Sequence, residues 1–73
     1  MSTPGEHRAF VLAAFIKKYE TAEPQVVTAR SIGQLIDTLV RKAQHDSGMR
    51  LSYAAALEQV FEDRSLKVAY SQS

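Results

Sequence analysis

The segment from Ser31 to Ala43 limits the possible folds more than any other part of the chain. Ser31 and Gln34 have the spacing of a capping box, in which the serine caps a helix start and the residue three positions later reaches back. The apolar residues that follow keep helical spacing over three turns: Ile32, Leu35, Ile36, Leu39, Val40 and Ala43. This pattern predicts an amphipathic helix over residues 32–46, which Gly48 ends and whose apolar stripe must be covered.

An earlier segment has the signals of a first helix, predicted over residues 4–20. Thr3 suits the cap, Pro4 suits the first helical position, and Glu6 has the capping-box position. One broad face gathers Val11, Leu12, Phe15, Ile16 and Tyr19. Phe10 and Ala14 fall on the opposite side, which indicates burial by more than this chain's own core.

Two shorter helices are predicted after Gly48. Ser52 caps a helix over residues 53–62, and a closing helix follows over residues 65–71. The first carries an apolar stripe of Tyr53, Ala56, Leu57, Val60 and Phe61, with Leu57 at its centre, and the second carries Leu66, Ala69 and Tyr70. We expect Tyr53, Leu57, Val60 and Phe61 to pack on Leu35, Ile36 and Leu39.

Together these segments predict an all-α fold, in which residues 1–73 form one domain of three helices and a short fourth. A chain of 73 residues buries only about 60% of its unfolded surface, so its stability is marginal without further support. With no cysteine in the sequence, disulfides are excluded, and oligomerisation is the remaining device. We therefore expect a homo-oligomer, in the simplest case a dimer.

The conformation of residues 21–30 stays open. Pro24 disfavours helix at the residue before it, and Val26, Val27 and Thr28 are β-branched residues that favour an extended path. The segment is a linker, a short strand, or a helical turn imposed by tertiary contacts.

No residue cluster indicates catalysis, a cofactor or a metal. The serines Ser31, Ser52 and Ser65 occupy cap positions, and the carboxylates Glu58, Glu62 and Asp63 are interpreted as the solvated face of the third helix. The net charge of +1 gives no broad attraction to nucleic acid or membrane, and no run reaches the roughly 18 apolar residues of a span. We expect a non-enzymatic cytoplasmic protein without cofactors.

The stretch Leu51-Ser-Tyr-Ala-Ala-Ala-Leu-Glu-Gln-Val60, followed by Glu62-Asp-Arg-Ser-Leu66 and Tyr70, resembles a short helical module near the ends of Mu-like phage head proteins, including protease–scaffold polypeptides. The residues that match the module are Ser52, Tyr53, Ala56, Leu57, Val60, Leu66 and Tyr70. Arg64 and Ser65 stand where that module has Asn-Pro. The resemblance implies a phage or prophage origin, a host-cell cytoplasmic location and a protein-binding role.

A second resemblance is to ribbon-helix-helix DNA-binding proteins. Residues 26–30 would form the ribbon, and the two capped helices after it would be the family's helix pair. That resemblance implies that Val26, Thr28 and Arg30 face the bases and that amides near Ser52 meet phosphate. Against it stand the capped helix before the ribbon and the nearly neutral charge.

The interpretation we favour is a protein-interaction module that binds itself and a partner protein, either a capsid component or an inhibited host protein. Phe10, Ala14 and Tyr70 are its predicted contact residues. The alternative is a dimeric DNA-binding regulator that uses Thr28, Arg30 and Ser52.

Overall fold

The computed structural model describes residues 4–72, with Pro4 described by its backbone alone. The four α-helices are α1 (Pro4–Tyr19), α2 (Ile32–Asp46), α3 (Tyr53–Val60) and α4 (Arg64–Gln72), and a 3₁₀ helix spans Pro24–Thr28. Within residues 4–72 there is no strand, which confirms the prediction of an all-α fold. The predicted cap Thr3 lies outside the described residues.

The start of α2 is fixed by two side chains that cap its free amides. The Ser31 Oγ accepts a hydrogen bond from the Gln34 backbone N–H at 3.1 Å, as the capping-box pattern predicts. In that pattern the Gln34 side chain would accept from the Ser31 N–H. Its Oε1 instead accepts from the N–H of the preceding residue, Arg30, at 2.5 Å. The helix therefore begins where the sequence predicts.

The end of α2 is a left-handed turn at Gly48 and Met49, whose φ angles are 68° and 65°. The Gly48 N–H donates to the His45 carbonyl at 3.0 Å, and the Met49 N–H donates to the Gln44 carbonyl at 2.8 Å. This pair of bonds is a Schellman motif, which satisfies the last carbonyls of the helix and turns the chain toward α3.

The apolar core is centred on α2. Among the described residues the buried apolar side chains are Val26, Ala29, Ile32, Leu35, Ile36, Leu39, Val40, Ala56 and Leu66. Five of these nine belong to one face of α2, which α3, α4 and the 3₁₀ helix contact. The predicted stripe of α2 is therefore the inner layer of the molecule.

The contact between α3 and α2 is centred on Ala56 and not on Leu57. Ala56 is fully buried, and its small side chain lets the two helices approach closely, whereas Leu57 is only partly buried. Tyr53 is 50% exposed, so its predicted place in the packed stripe is wrong. It stands at the first residue of a helix of eight residues, at the edge of the contact.

Residues 24–28 form the helical turn that the sequence left open. The Val26 N–H donates to the Glu23 carbonyl at 3.0 Å, the Ala29 N–H donates to the Val26 carbonyl at 2.9 Å, and the Val26 side chain is completely buried. Burial of Val26 against α2 outweighs the extended preference of the β-branched run. The extended ribbon over residues 26–30, with Val26 turned outward, is therefore wrong for this structure.

The Leu66→Ala and Leu57→Ala variants should differ in stability. Leu66 is fully buried, so its truncation should lower the free energy of unfolding by about 2–5 kcal/mol. Leu57 is partly exposed, so the same change there should cost clearly less. Urea denaturation followed by circular dichroism measures both, and an equal or larger loss for Leu57→Ala would contradict this arrangement of the core.

Candidate protein-interaction surface

Helix α1 lies on the outside of the core and is only partly covered by it. Its large apolar side chains Val11, Leu12, Phe15, Ile16 and Tyr19 pack against the core, yet none of them is fully buried. Phe10, on the opposite side, is 75% exposed, the highest value among the exposed large apolar residues. A helix this apolar and this uncovered is a candidate for contact with another molecule.

The side of α1 that faces away from the core is called here the outer face, and it consists of Glu6, Phe10, Ala13, Ala14 and Lys17. All five residues are exposed. Their spacing along the helix places them within one band of its surface, because residues three and four positions apart are neighbours on a helix. The outer face thus holds one aromatic ring, two methyl groups and a charge at each end.

The C-terminal end of α1 is joined to the turn before α4 by one carboxylate. The Lys18 Nζ donates to the Asp63 Oδ2 at 2.5 Å, and the Tyr19 hydroxyl donates to the same oxygen at 2.6 Å. The other oxygen of Asp63 accepts from the Ser65 N–H at 3.0 Å and so caps α4. Asp63 therefore links two helices, and its predicted place on a solvated face of the third helix is wrong.

These hydrogen bonds shift the pKa values of Asp63 and Tyr19. The ammonium of Lys18 and the hydroxyl of Tyr19 lower the pKa of Asp63 to about 2 from its ordinary 3.8, since both donors favour the charged carboxylate. Partial burial raises the pKa of Tyr19 above its ordinary value, and the hydrogen bond to Asp63 raises it further. Both shifts favour the same state, a neutral tyrosine donating to a charged carboxylate.

A groove of about 550 Å³ runs between the first half of α1 and α4. Its apolar lining includes Val11, Phe15, Ile32, Val68 and Ala69, and its basic lining comprises His7, Arg8 and Arg64. No carboxylate is among the described residues that line it. A second depression of similar size, beside Tyr19 and Leu39, is instead lined by the carboxylates of Glu23, Asp46 and Glu62.

The structure places the predicted contact residues on two different surfaces. Phe10 and Ala14 lie one turn apart on the outer face, and both are exposed. Tyr70 lies on α4, where its ring meets the ring of Phe61 at a centroid distance of 5.5 Å. Tyr70 is 46% exposed but does not line the groove between α1 and α4.

The residues predicted for DNA contact are exposed but do not form a ribbon. The Thr28 hydroxyl donates to the Gln25 carbonyl at 3.0 Å within the 3₁₀ helix, and Arg30 lies two residues after the end of this helix. Ser52 caps α3, where its Oγ accepts from the Ala55 N–H at 3.2 Å. The sequence predicted this cap, in which the Ser52 hydroxyl forms a hydrogen bond with a backbone amide of its own chain.

Across residues 4–72 no group of three histidine, cysteine or acidic side chains is arranged to hold a metal ion. The same residues include no helix with the length and apolar character to cross a membrane. The described core also holds no buried polar or charged residue.

Sequence reasoning missed the link from Lys18 and Tyr19 to Asp63 and the groove beside it. The linked residues are 44 and 45 positions apart, and no local spacing predicts such a contact. The basic residues of the groove are likewise divided between the two ends of the chain. A lysine next to a tyrosine at a helix end is too common to serve as a signal.

The link at Asp63 predicts a specific dependence of stability on pH. Because the pKa of Asp63 is lowered in the folded state, its contribution is complete above about pH 4 and is lost as the pH falls toward 2. Because the pKa of Tyr19 is raised, its contribution is complete below its ordinary value of 10.0 and declines above it. Thermal melts across pH should therefore show a flatter acid limb for Asp63→Asn and a flatter alkaline limb for Tyr19→Phe. Limbs identical to those of the wild type would show that the link contributes nothing.

Comparison of the chain with protein-family models, curated proteins and solved structures found no match.

Proposed function

We propose that this chain is a non-enzymatic helical interaction module that binds a second copy of itself and a further protein. The observation that carries the proposal is the incomplete burial of α1. Among residues 5–19 no large apolar side chain is fully buried, although six are present, and Phe10 projects away from the core.

The exposure of Phe10 favours association, because the free energy falls when a partner covers an aromatic ring that is otherwise exposed to water. Aromatic side chains are enriched at the centres of interfaces, where truncating one costs about 2 kcal/mol or more in binding. Two exposed alanines lie near Phe10 on the outer face and permit close approach of another helix. Self-association through this face also supplies apolar burial that a small chain lacks.

The groove between α1 and α4 supports the second part of the proposal, binding to another protein. Its apolar lining suits the apolar face of a helix, and its basic residues Arg8 and Arg64 suit carboxylates flanking that face. The resemblance of residues 51–70 to the phage head module supports a phage or prophage setting. In that setting the partner would be a capsid component or a host protein that the phage inhibits.

The DNA-binding alternative has less support. Residues 26–28 of its ribbon belong to a 3₁₀ helix in which Val26 is buried, and the net charge of the chain is only +1. Thr28 and Arg30 are exposed, which leaves two polar side chains on that segment available to a nucleic acid.

The proposal predicts that the wild type associates and that Phe10→Ala weakens this association. The mass of the wild type should rise with concentration in sedimentation or light scattering. Phe10→Ala should shift this rise to at least about tenfold higher concentration, because the exposed ring is lost from the contact. Its helical circular dichroism should not change, since Phe10 is 75% exposed.

Met49→Ala is the matched control for that experiment. Met49 is 69% exposed, close to Phe10, but lies in the turn after α2. The Met49→Ala variant should associate as the wild type does. A wild type that stays monomeric at several hundred micromolar, or an equal effect of both variants, would contradict self-association through α1.

The alternative is tested by fluorescence anisotropy with mixed duplex DNA at low salt, where binding to phosphates is strongest. We expect no binding at micromolar protein. Binding that falls steeply with salt and is lost in Arg30→Ala would favour the DNA-binding function instead.

A further inference from the structure

Helix α1 lines the groove with a different side from its outer face. The groove side carries His7, Arg8, Val11 and Phe15. At 100° per residue, the middle of this side lies about 130° around the helix axis from the middle of the outer face. A molecule in the groove and a second copy on the outer face would therefore contact different side chains.

The guanidinium groups of Arg8 and Arg64 have no partner among the described residues. No ion pair or side-chain hydrogen bond joins either group to residues 4–72. Lys18, Arg41 and Lys42, by contrast, are each paired with an aspartate. Because no carboxylate is among the described residues of the groove, its two arginines leave it with an uncompensated positive charge that favours an anionic occupant.

The two arginines lie on opposite walls and toward opposite ends of the groove. Arg8 belongs to α1 and Arg64 to α4, so each wall carries one of them. Arg64 follows Asp63, which binds Lys18 and Tyr19 at the C-terminal end of α1. Lys18 is ten residues, or about 15 Å, along α1 from Arg8. An occupant that pairs with both arginines must therefore carry anionic groups near both of its ends and on both of its edges.

The dimensions of the groove suit a short length of helix. Its walls, residues 7–15 of α1 and residues 64–72 of α4, are each about 13 Å long. Between two and three turns of a helix have this length, and they present apolar side chains at positions i, i+3 or i+4, and i+7 along one face. The apolar groups available to them include Val11, Phe15 and Val68.

The open shape of the groove favours a helix over a small apolar molecule. Val68, on the α4 wall, is 53% exposed, and both arginines are exposed. Small ligands are held by sites that enclose roughly 70–90% of their surface. An amphipathic helix needs cover for its apolar face alone, because its other side stays in water.

One end of the groove is fixed within the chain itself. Asp63 accepts hydrogen bonds from Lys18 and Tyr19 with one oxygen and from the Ser65 N–H with the other, and Ser65 lines the groove. The C-terminal end of α1 is therefore tied to the first turn of α4. A site that is already ordered costs less free energy to fill than one that must be assembled.

We propose that the groove binds an acidic amphipathic helix of a partner protein. Apolar side chains of that helix pack on Val11, Phe15 and Val68, and two carboxylates about ten residues apart pair with Arg8 and Arg64. Arginine suits this role because its planar fork binds a carboxylate through two parallel hydrogen bonds. This assignment rests on the proposed function, since it gives the chemistry of the protein partner named there.

The test measures the fluorescence anisotropy of labelled peptides titrated with the full chain. The acidic peptide has about eighteen residues, enough to form a helix, with leucines on one face and two glutamates ten residues apart at its edges. A second peptide carries lysines in place of these glutamates. The acidic peptide should bind in the micromolar range and lose affinity with added salt, and the lysine peptide should bind at least about tenfold more weakly.

Val68→Glu and its matched control Val27→Glu locate the binding site. The two valines are 53% and 54% exposed, so neither change disturbs the core, but only Val68 lines the groove. Val68→Glu should weaken binding of the acidic peptide by at least about tenfold and strengthen binding of the lysine peptide, because it places a carboxylate in the groove. Val27→Glu should bind both peptides as the wild type does.

Arg8→Gln and Arg64→Gln test the two charge contacts separately. Each should weaken binding of the acidic peptide by about threefold, and the double variant by about tenfold, as expected for exposed ion pairs. Arg50→Gln, which changes an exposed arginine between α2 and α3, is the control and should have no effect. Circular dichroism of every variant establishes that the helices are retained.

The outcomes separate the acidic partner from the proposed function. If both peptides bind equally and compete for one site that Val68→Glu alters, the acidic chemistry is wrong and binding of a protein in the groove stands. If Phe10→Ala removes binding and Val68→Glu does not, the helix lies on the outer face and the groove assignment is overturned. If neither peptide binds, the groove is not a helix site, while self-association is decided separately by the dilution experiment on Phe10→Ala. Displacement of the acidic peptide by laurate or duplex DNA at a lower concentration than by its own unlabelled form would overturn a helix as the occupant.

Discussion

The apolar face of α2 is the surface on which α3, α4 and the 3₁₀ helix are assembled. It contributes Ile32, Leu35, Ile36, Leu39 and Val40 to the core, and α3, α4 and the 3₁₀ helix each contact α2. Each of those elements contains one fully buried apolar residue: Val26 in the 3₁₀ helix, Ala56 in α3 and Leu66 in α4. Because the face of one helix is shared among three elements, little of it is left to cover α1.

This shortage explains the position of α1. Its side chains Val11, Leu12, Phe15, Ile16 and Tyr19 reach the edge of the core without being enclosed by it. Polar bonds add a second attachment, since Asp63 binds Lys18 and Tyr19 at the C-terminal end of α1 while it caps α4. The helix is thus held along one side and fixed at one end, and its outer face is presented to solvent.

The fold was predictable where local signals and packing agreed. Ser31, Gln34 and Gly48 fix the ends of α2 through nearby backbone groups, and the apolar spacing between them identifies the buried face. Contacts between residues that are far apart in the sequence, and conformations imposed by tertiary packing, were not predictable in this way. Val26 is buried in a 3₁₀ helix although its neighbours favour an extended path, and Asp63 finds its partners in a helix more than 40 residues away. The exposure of Phe10 followed from the helical wheel, whereas the groove between α1 and α4 did not.

The central claim is that the outer face of α1 is where this chain meets a second copy. The most direct measurement is a dilution series followed by amide chemical shifts in ¹⁵N NMR spectra of the wild type. The account predicts that the concentration-dependent shifts concentrate on α1, with the largest at Phe10, Ala13 and Ala14 and smaller ones toward Glu6 and Lys17. Shifts that do not depend on concentration, or that are confined to α3 and α4 around Tyr70, would contradict it.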